Sequence, residues 1–294
     1  MMIDYDVVKN WIFEDVRYDY AERDVMLYAL GIGLGQDPLD KGQLRYVYED
    51  GLQVMPTMAA IMGAPGAWWK DPRTGADALR LVHGEQHLRF HRPMPARGSM
   101  RVSNRVLSLS DKGAGKGAIG VVLREIRDAE TGELHAESRN VSVLRGDGGF
   151  STAHGRTDPP PAPLPPIPQR SADSVLELPT LTQGALIYRL SGDYNPLHAD
   201  PAVADKAGFA RPILHGLVAY GMAAHAVLRD ALGYDSIRLR SLGLRFTAPV
   251  YPGETLQFEL WRESAALVRL RGRVRERDVV AIDNGVVEID PRTD

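Results

Sequence analysis

Residues 188–200 read YRLSGDYNPLHAD. Asp193, Asn195 and His198 crowd together there, with Gly192 and Pro196 bending the chain around them. A carboxylate and an imidazole on one loop can converge on a single small molecule, take a proton from water and return one elsewhere. An amide such as Asn195 can orient that molecule by hydrogen bond. The same residues also suit an Asx-rich turn between two helices, and spacing alone leaves both readings open.

Such a loop needs elements to hold it. Thr180 followed by Gln183 has the form of a capping box, which predicts a helix over about 181–190 ending in the loop. Asp200-Pro201 reads as an N-cap followed by proline in the first turn, and Gly208 stops that short helix. LHGLVAYGMAAHAVLRDALG (214–233) predicts a long helix ending at Gly233, rich in glycine and alanine, which lets backbone pack close on several sides. Gly216 opens it with an N–H that the helix leaves unpaired and no side chain to keep a ligand away. In TLQFELW and VRLRGRVR apolar residues alternate with polar ones, which predicts antiparallel strands with one wet face. The arginines of 269–275 are then expected on a solvated face, with help to a phosphate ligand as a weaker alternative.

The first half repeats the plan faintly. YALGIGLG (28–35) matches YRLSGDYN (188–195), MPTMAAIMG (55–63) matches LHGLVAYGM (214–222), and HLRFHRPMPARG (87–98) matches GLRFTAPVYPG (243–253). An ordered match of this kind points to duplication of one fold unit. The first copy lacks the polar groups: Gly33 and Gly35 stand for Asp193 and Asn195, and Pro56 stands near the place of His215. Between the halves, GDGGFSTAHGRTDPPPAPLPPIPQR (146–170) reads as a partly extended linker. The expected architecture is α+β, a double hotdog: two hotdog units, each an antiparallel sheet wrapped around a central helix, with an N-terminal unit at 1–145 and a C-terminal unit at 171–294.

The totals narrow the function. Apolar residues make up 44% and charged residues 25% of 294, ordinary for a globular protein. A net charge of −3 gives no reason to expect nucleic acid or an anionic membrane as partner. The absence of cysteine excludes disulfides, thiolate metal sites and a cysteine nucleophile, and fits a reducing compartment. The N-terminus carries acids where a signal peptide needs a basic start, and no run approaches the roughly 20 apolar residues of a membrane span, so a cytoplasmic protein is expected. GIGLG (31–35) lacks the spacing of a dinucleotide loop and GAGKG (113–117) that of a P-loop. His83 and His87 are spaced as on a zinc-binding helix, but Gly84 and the strand-like continuation argue against a helix. His215 is expected to be structural, beside the site, and His225 a core or rim residue.

YRLSGDYNPLHADP followed by AGFARPILHGL resembles the signature of the MaoC-like, type 2 enoyl-CoA hydratases, a group that includes the hydratase domain of peroxisomal multifunctional enzyme type 2. The similarity runs nearly end to end, through YAERDVMLYALGIG, LVHGEQHLRFHRPMP and SDKGAGKG in the first half. The resemblance implies hydration of trans-2-enoyl-CoA to (3R)-3-hydroxyacyl-CoA, in fatty-acid or sterol side-chain β-oxidation, with an acyl-CoA thioester as partner and neither metal nor cofactor. It implies that Asp193 and His198 are catalytic, that Asn195 orients water or substrate, and that the Gly216 N–H polarises the thioester. It places His83 and Gly84 against CoA from the first half, Lys112 at a CoA phosphate, Phe246 beside the thioester, and Tyr194, Pro196 and Leu197 in the substrate loop. An exposed hairpin tip is the plainer reading of Lys112. The stretch 63–80, GAPGAWWKDPRTGADALR, departs from the family and is a candidate lining of the acyl tunnel. Gly31, Gly33 and Gly35 are candidates for leaving room for a bulky acyl group. A homodimer is expected because hotdog sheets often pair. A hotdog acyl-CoA thioesterase and a non-catalytic acyl-CoA-binding protein are the competing readings.

Overall fold

The computed structural model describes residues 2–291. Its strands are β1 (Val16–Tyr20), β2 (Leu81–Phe90), β3 (Gly98–Asp111), β4 (Ala118–Asp128), β5 (Leu134–Leu144), β6 (Ser174–Pro179), β7 (Leu239–Phe246), β8 (Thr255–Ser264), β9 (Leu267–Val274) and β10 (Val279–Ile289). They form one 10-stranded sheet in the order β1-β3-β4-β5-β2-β7-β10-β9-β8-β6. From either edge inward the order of strands is the same, so the halves are related by a pseudo-two-fold axis at the β2–β7 seam. Those strands run antiparallel, with His87 opposite Gly243. The two residues are also equivalent in the internal repeat, so the axis passes between them. The chain is a double hotdog.

Alternation explains the strands. Leu256, Phe258 and Leu260 of β8 are fully buried, while Gln257 and Glu259 between them reach Glu177 and Arg271 on the outer face. The long helix Gly216–Ala231 lies in the curl of the sheet, buried continuously from Val218 to Leu228. A helix this apolar on all sides belongs in an interior. Its small residues are there for contact: a Cβ on Gly221 would fall 2.6 Å from Cγ2 of Ile32, contributed by the other half.

At the matching place in the first half the chain makes only a 3-10 turn, Pro56–Ala60. The reason lies on the inner face of β3 and β4. Arg124 donates to the carbonyls of Ala60 and Met62, and Asn104 to that of Gly63. These side chains of the sheet tie down the chain after the turn, and Gly63 then leaves the helical region at φ +56. Burial without a carboxylate partner lowers the Arg124 pKa to about 10.

Residues 155–173 do more than link. Asp158 accepts from Leu109 N–H and Lys9 Nζ, Leu164 and Pro165 line an open pocket with His87 and Gly243, and the Arg170 carbonyl accepts from Trp261 Nε1. The segment is a strap crossing the outer face from β3 to β8. It overturns one expectation: Arg269 is not on a solvated face but 4% exposed, donating to the carbonyls of Gly285 and Pro165. Its neighbours Arg271, Arg273 and Arg275 pair with Glu259, Asp278 and Glu177.

The capping box at Thr180 does not form either. Thr180 Oγ1 donates to the Glu254 carbonyl and accepts from Gly253 N–H, so a neighbouring loop claims it. The helix there is short, Gly184–Tyr188, and runs into a 3-10 turn, Arg189–Ser191. Asp200 does cap Pro201–Lys206, accepting from Ala202 N–H at 2.8 Å. In the 63–80 stretch Trp69 packs in a small second core with Ile3, Val8 and Phe150, apart from the core around the long helix.

Candidate active site

The loop begins at Gly192, whose φ of +123 is a conformation that side chains resist. Asp193 Oδ1 accepts from Asn195 N–H at 3.1 Å, and Asn195 Oδ1 accepts from Leu197 N–H at 3.2 Å. These two Asx bonds coil the chain into the 3-10 turn Pro196–His198. The Asx-turn reading therefore holds for this loop, and it is compatible with the chemical one. The turn is what brings Asp193 and His198 to one place, and Asn195 spends its oxygen on building it.

His198 Nδ1 lies 2.9 Å from the Ile213 carbonyl. A carbonyl only accepts, so Nδ1 carries the proton and Nε2 is left as the basic nitrogen. Burial holds the His198 pKa below its usual value, so the ring is neutral at pH 7. His215 stacks on it, ring centroids 3.7 Å apart. The His215 Nε2–H donates to the Asp193 carbonyl at 3.1 Å and lies 4.0 Å from Asp193 Oδ2. Burial, then the neighbouring His198, lowers the His215 pKa to about 4. Its Nδ1 is buried with no hydrogen-bond partner. His215, expected to sit beside the site, is within it. The sequence signal was its position immediately before Gly216.

Ligand atoms of Asp193, His198 and His215 all lie within 4.8 Å of one another, a set that could be considered for a metal. The stacked rings argue against it. Imidazoles sharing one ion point their nitrogens at a common centre, whereas these lie face to face at an interplanar angle of 27°.

Gly216 is the first residue of the long helix, with His215 as N-cap. Its N–H is one of the donors without an acceptor inside the helix, at the positive end of the helix dipole. A Cβ at Gly216 would sit 3.5 Å from the Phe246 ring, in the space between helix and β7. Across that space Phe246 meets His83 of β2 edge to face, 4.9 Å between centroids. The seam therefore delivers a first-half residue to a second-half site. His83 Nε2 lies 3.1 Å from the Glu85 carbonyl and 2.8 Å from Asn140 Nδ2, and burial lowers its pKa to about 4. Gly84 occupies a β-bulge opposite β5, where a Cβ would fall 2.7 Å from Val143 Cγ2.

Other expected residues are peripheral. Tyr194 is 57% exposed beneath the Arg189 guanidinium, 4.9 Å away, and Pro196 and Leu197 form the turn. Lys112 is at an exposed hairpin tip, at the same end of the sheet as His83 but three strands away, roughly 14 Å at sheet spacing. The first-half glycines do not leave empty space: a Cβ on Gly31 would touch the Tyr188 ring at 3.4 Å, and Gly33 and Gly35 have φ of +86 and +81. Tyr188, which the sequence reading passed over, lies 5.0 Å from the His215 ring with its hydroxyl buried and unpartnered.

Comparison with known proteins covers nearly the whole chain. Residues 164–284 match the MaoC like domain, and residues 18–146 the MFE-2 hydratase 2 N-terminal domain. The chain is 40% identical over 287 residues to 3-hydroxyacyl-thioester dehydratase Y of Mycobacterium tuberculosis, covering 94% of this chain and 95% of that protein. It is 39% identical to peroxisomal enoyl-CoA hydratase 2 of Arabidopsis thaliana, covering 94% and 92%. The crystal structure of a MaoC-like dehydratase from Phytophthora capsici superposes with a TM-score of 0.85 at 30% identity, covering 98% of this chain and 99% of that one.

Proposed function

The chain belongs to the MaoC-like, type 2 enoyl-CoA hydratase family, and on that premise we propose that it hydrates trans-2-enoyl-CoA to (3R)-3-hydroxyacyl-CoA and catalyses the reverse dehydration. The observation that carries the reading is a neutral His198, its basic nitrogen fixed as Nε2, on the same turn as Asp193 and next to a helix N-terminus. Water needs a base as it attacks C3, and C2 needs a proton. The Asp193–His198 pair supplies both. Because the two groups share one loop, hydroxyl and proton arrive on the same face of the flat enoyl group. The thioester oxygen gains charge as the enolate forms, and the Gly216 N–H donates to it. Asn195 acts through its NH2 on water or substrate, and His215 positions the pair through its bond to the Asp193 carbonyl and its stack on His198.

In this reading the unit at 171–294 is catalytic and that at 1–145 accommodates acyl chain and CoA. His83 and Gly84 meet CoA near the thioester, which rests beside Phe246, while Tyr194, Pro196 and Leu197 wall the entrance. Lys112 meets a CoA phosphate at the rim. The 155–173 strap holds the units together. A homodimer in the cytoplasm is part of the proposal. No described helix is long and apolar enough to cross a membrane.

The test uses purified protein and enoyl-CoAs from crotonyl to decenoyl plus a sterol side-chain analogue. Enoyl absorbance is followed while product is captured by (R)- or (S)-specific 3-hydroxyacyl-CoA dehydrogenase. Turnover that couples only to the (R) enzyme and disappears in Asp193→Asn is expected. Release of free CoA with the double bond intact would favour a thioesterase. Binding without either reaction would favour a binding protein.

A further inference from the structure

The pseudo-two-fold axis has a second end. The operation that exchanges His87 and Gly243 also carries Phe246 onto Phe90, His83 onto Leu239, and Gly84 onto Arg240. The start of the long helix goes to the turn that begins at Pro56. Phe90, Leu239, Arg240 and Pro56 all line one cavity of about 230 Å³. It is the mate of the candidate active site, with its walls kept and its chemistry removed. Leu239 stands for the His83 imidazole and Pro56 for that of His215, and in the repeat Gly33 and Gly35 stand for the acid and the amide of the loop.

We propose that this cavity is a second, non-catalytic site for a fatty acyl chain bearing an anionic head group; the choice of ligand rests on the acyl-CoA reading above. Val54, Met94 and Leu52 join Phe90 and Leu239 as an apolar wall for the chain. The charged residues among the lining are both cations, Arg92 and Arg240. Their present partners, Glu133 at 2.9 Å and Asp290 at 2.8 Å, lie outside the lining, and the arginines are 55% and 40% exposed. Exposed pairs of this kind are weak, so an incoming carboxylate or phosphate can share the guanidinium groups. Gly84 and Phe90 are six steps apart along β2, roughly 20 Å at strand rise. Ligand in one does not sterically exclude ligand in the other.

The experiment is calorimetric titration of the intact protein with dodecanoyl-CoA, which has no double bond to hydrate, with dodecanoate, and with CoA alone. Two dodecanoyl-CoA per chain are expected. In the double variant Arg92→Ala/Arg240→Ala one of the two is weakened at least ten-fold, with crotonyl-CoA hydration unchanged. Leu239→Trp, which fills the cavity, removes the same site. Should that variant misfold, the surface double variant decides alone. Dodecanoate at the second site identifies a fatty acid as sufficient. Dodecanoyl-CoA alone there identifies the CoA phosphates as the required head group. One molecule per chain, two unaffected by the variants, or CoA binding there without a chain would each overturn the proposal. Hydration with one binding site refutes this inference and leaves the hydratase reading intact; two sites without hydration does the reverse.

Discussion

Replacing Gly216 by proline removes one hydrogen-bond donor at the helix start and adds a ring whose Cβ an alanine variant reproduces. Gly216 is the first residue of its helix, where proline is favoured because its fixed φ suits the helix and its missing N–H has no intrahelical role. The preceding residue, His215, has φ −60 and ψ 135, the extended conformation a following proline demands. The variant should therefore fold, with a melting temperature within a few degrees of the parent. Its chemistry should suffer: loss of one oxyanion donor costs about 10²–10³ in kcat, or about 2.7–4 kcal/mol. Gly216→Ala is the control, since it keeps the N–H and adds a methyl 3.5 Å from the Phe246 ring. Alanine crowds the thioester, so its effect should fall mainly on KM. The assay is initial-rate hydration of crotonyl-CoA, with acyl-CoA affinity measured separately by calorimetry. A folded proline variant within three-fold of parental kcat would refute the oxyanion role. Equal kcat losses in both variants would show that space, not the donor, is what Gly216 provides.

The remaining predictions address the proton pair, the buried histidines and the packing. Asp193→Asn keeps an oxygen to accept from Asn195 N–H, so acyl-CoA affinity should hold while kcat falls about 10²–10⁴-fold. The Asp193 carboxylate raises the His198 pKa, so any residual activity in this variant should have its acid limb at lower pH than the parent. His83, His215 and His225 have folded pKa values of about 4, below the 6.5 of the unfolded chain. The unfolded state therefore binds more protons between those values, and stability present above pH 6.5 should be lost progressively towards pH 4, read as a falling melting temperature. Gly221→Val should destabilise by about 1–3 kcal/mol in urea, because its Cβ meets Ile32 at 2.6 Å. Arg269→Met should cost about 1–3 kcal/mol, chiefly by leaving the buried Gly285 carbonyl without its donor.

The sequence by itself determined whatever depends on neighbours along the chain. Asp193, Asn195 and His198 are legible because a turn built from Asx bonds is local, and Asp200-Pro201 because a cap acts within one turn. Alternation in β8 and the small residues of the long helix likewise declare their own burial. The internal repeat went further, because duplication writes a long-range relation into the chain as similarity. Other features belonged to tertiary structure. Thr180 had the right neighbour for a capping box, but a loop more than 70 residues away offered its hydroxyl a better partner. Arg269 alternates like a surface arginine and is buried because the proline strap crosses it. His215 looked like a packing residue until its ring was found against His198, and His83 reaches the site only because β2 pairs with β7. In each case the deciding contact joins residues remote in sequence. Local preference sets which conformations a segment can adopt; burial and hydrogen bonding to distant partners select among them and assemble the site.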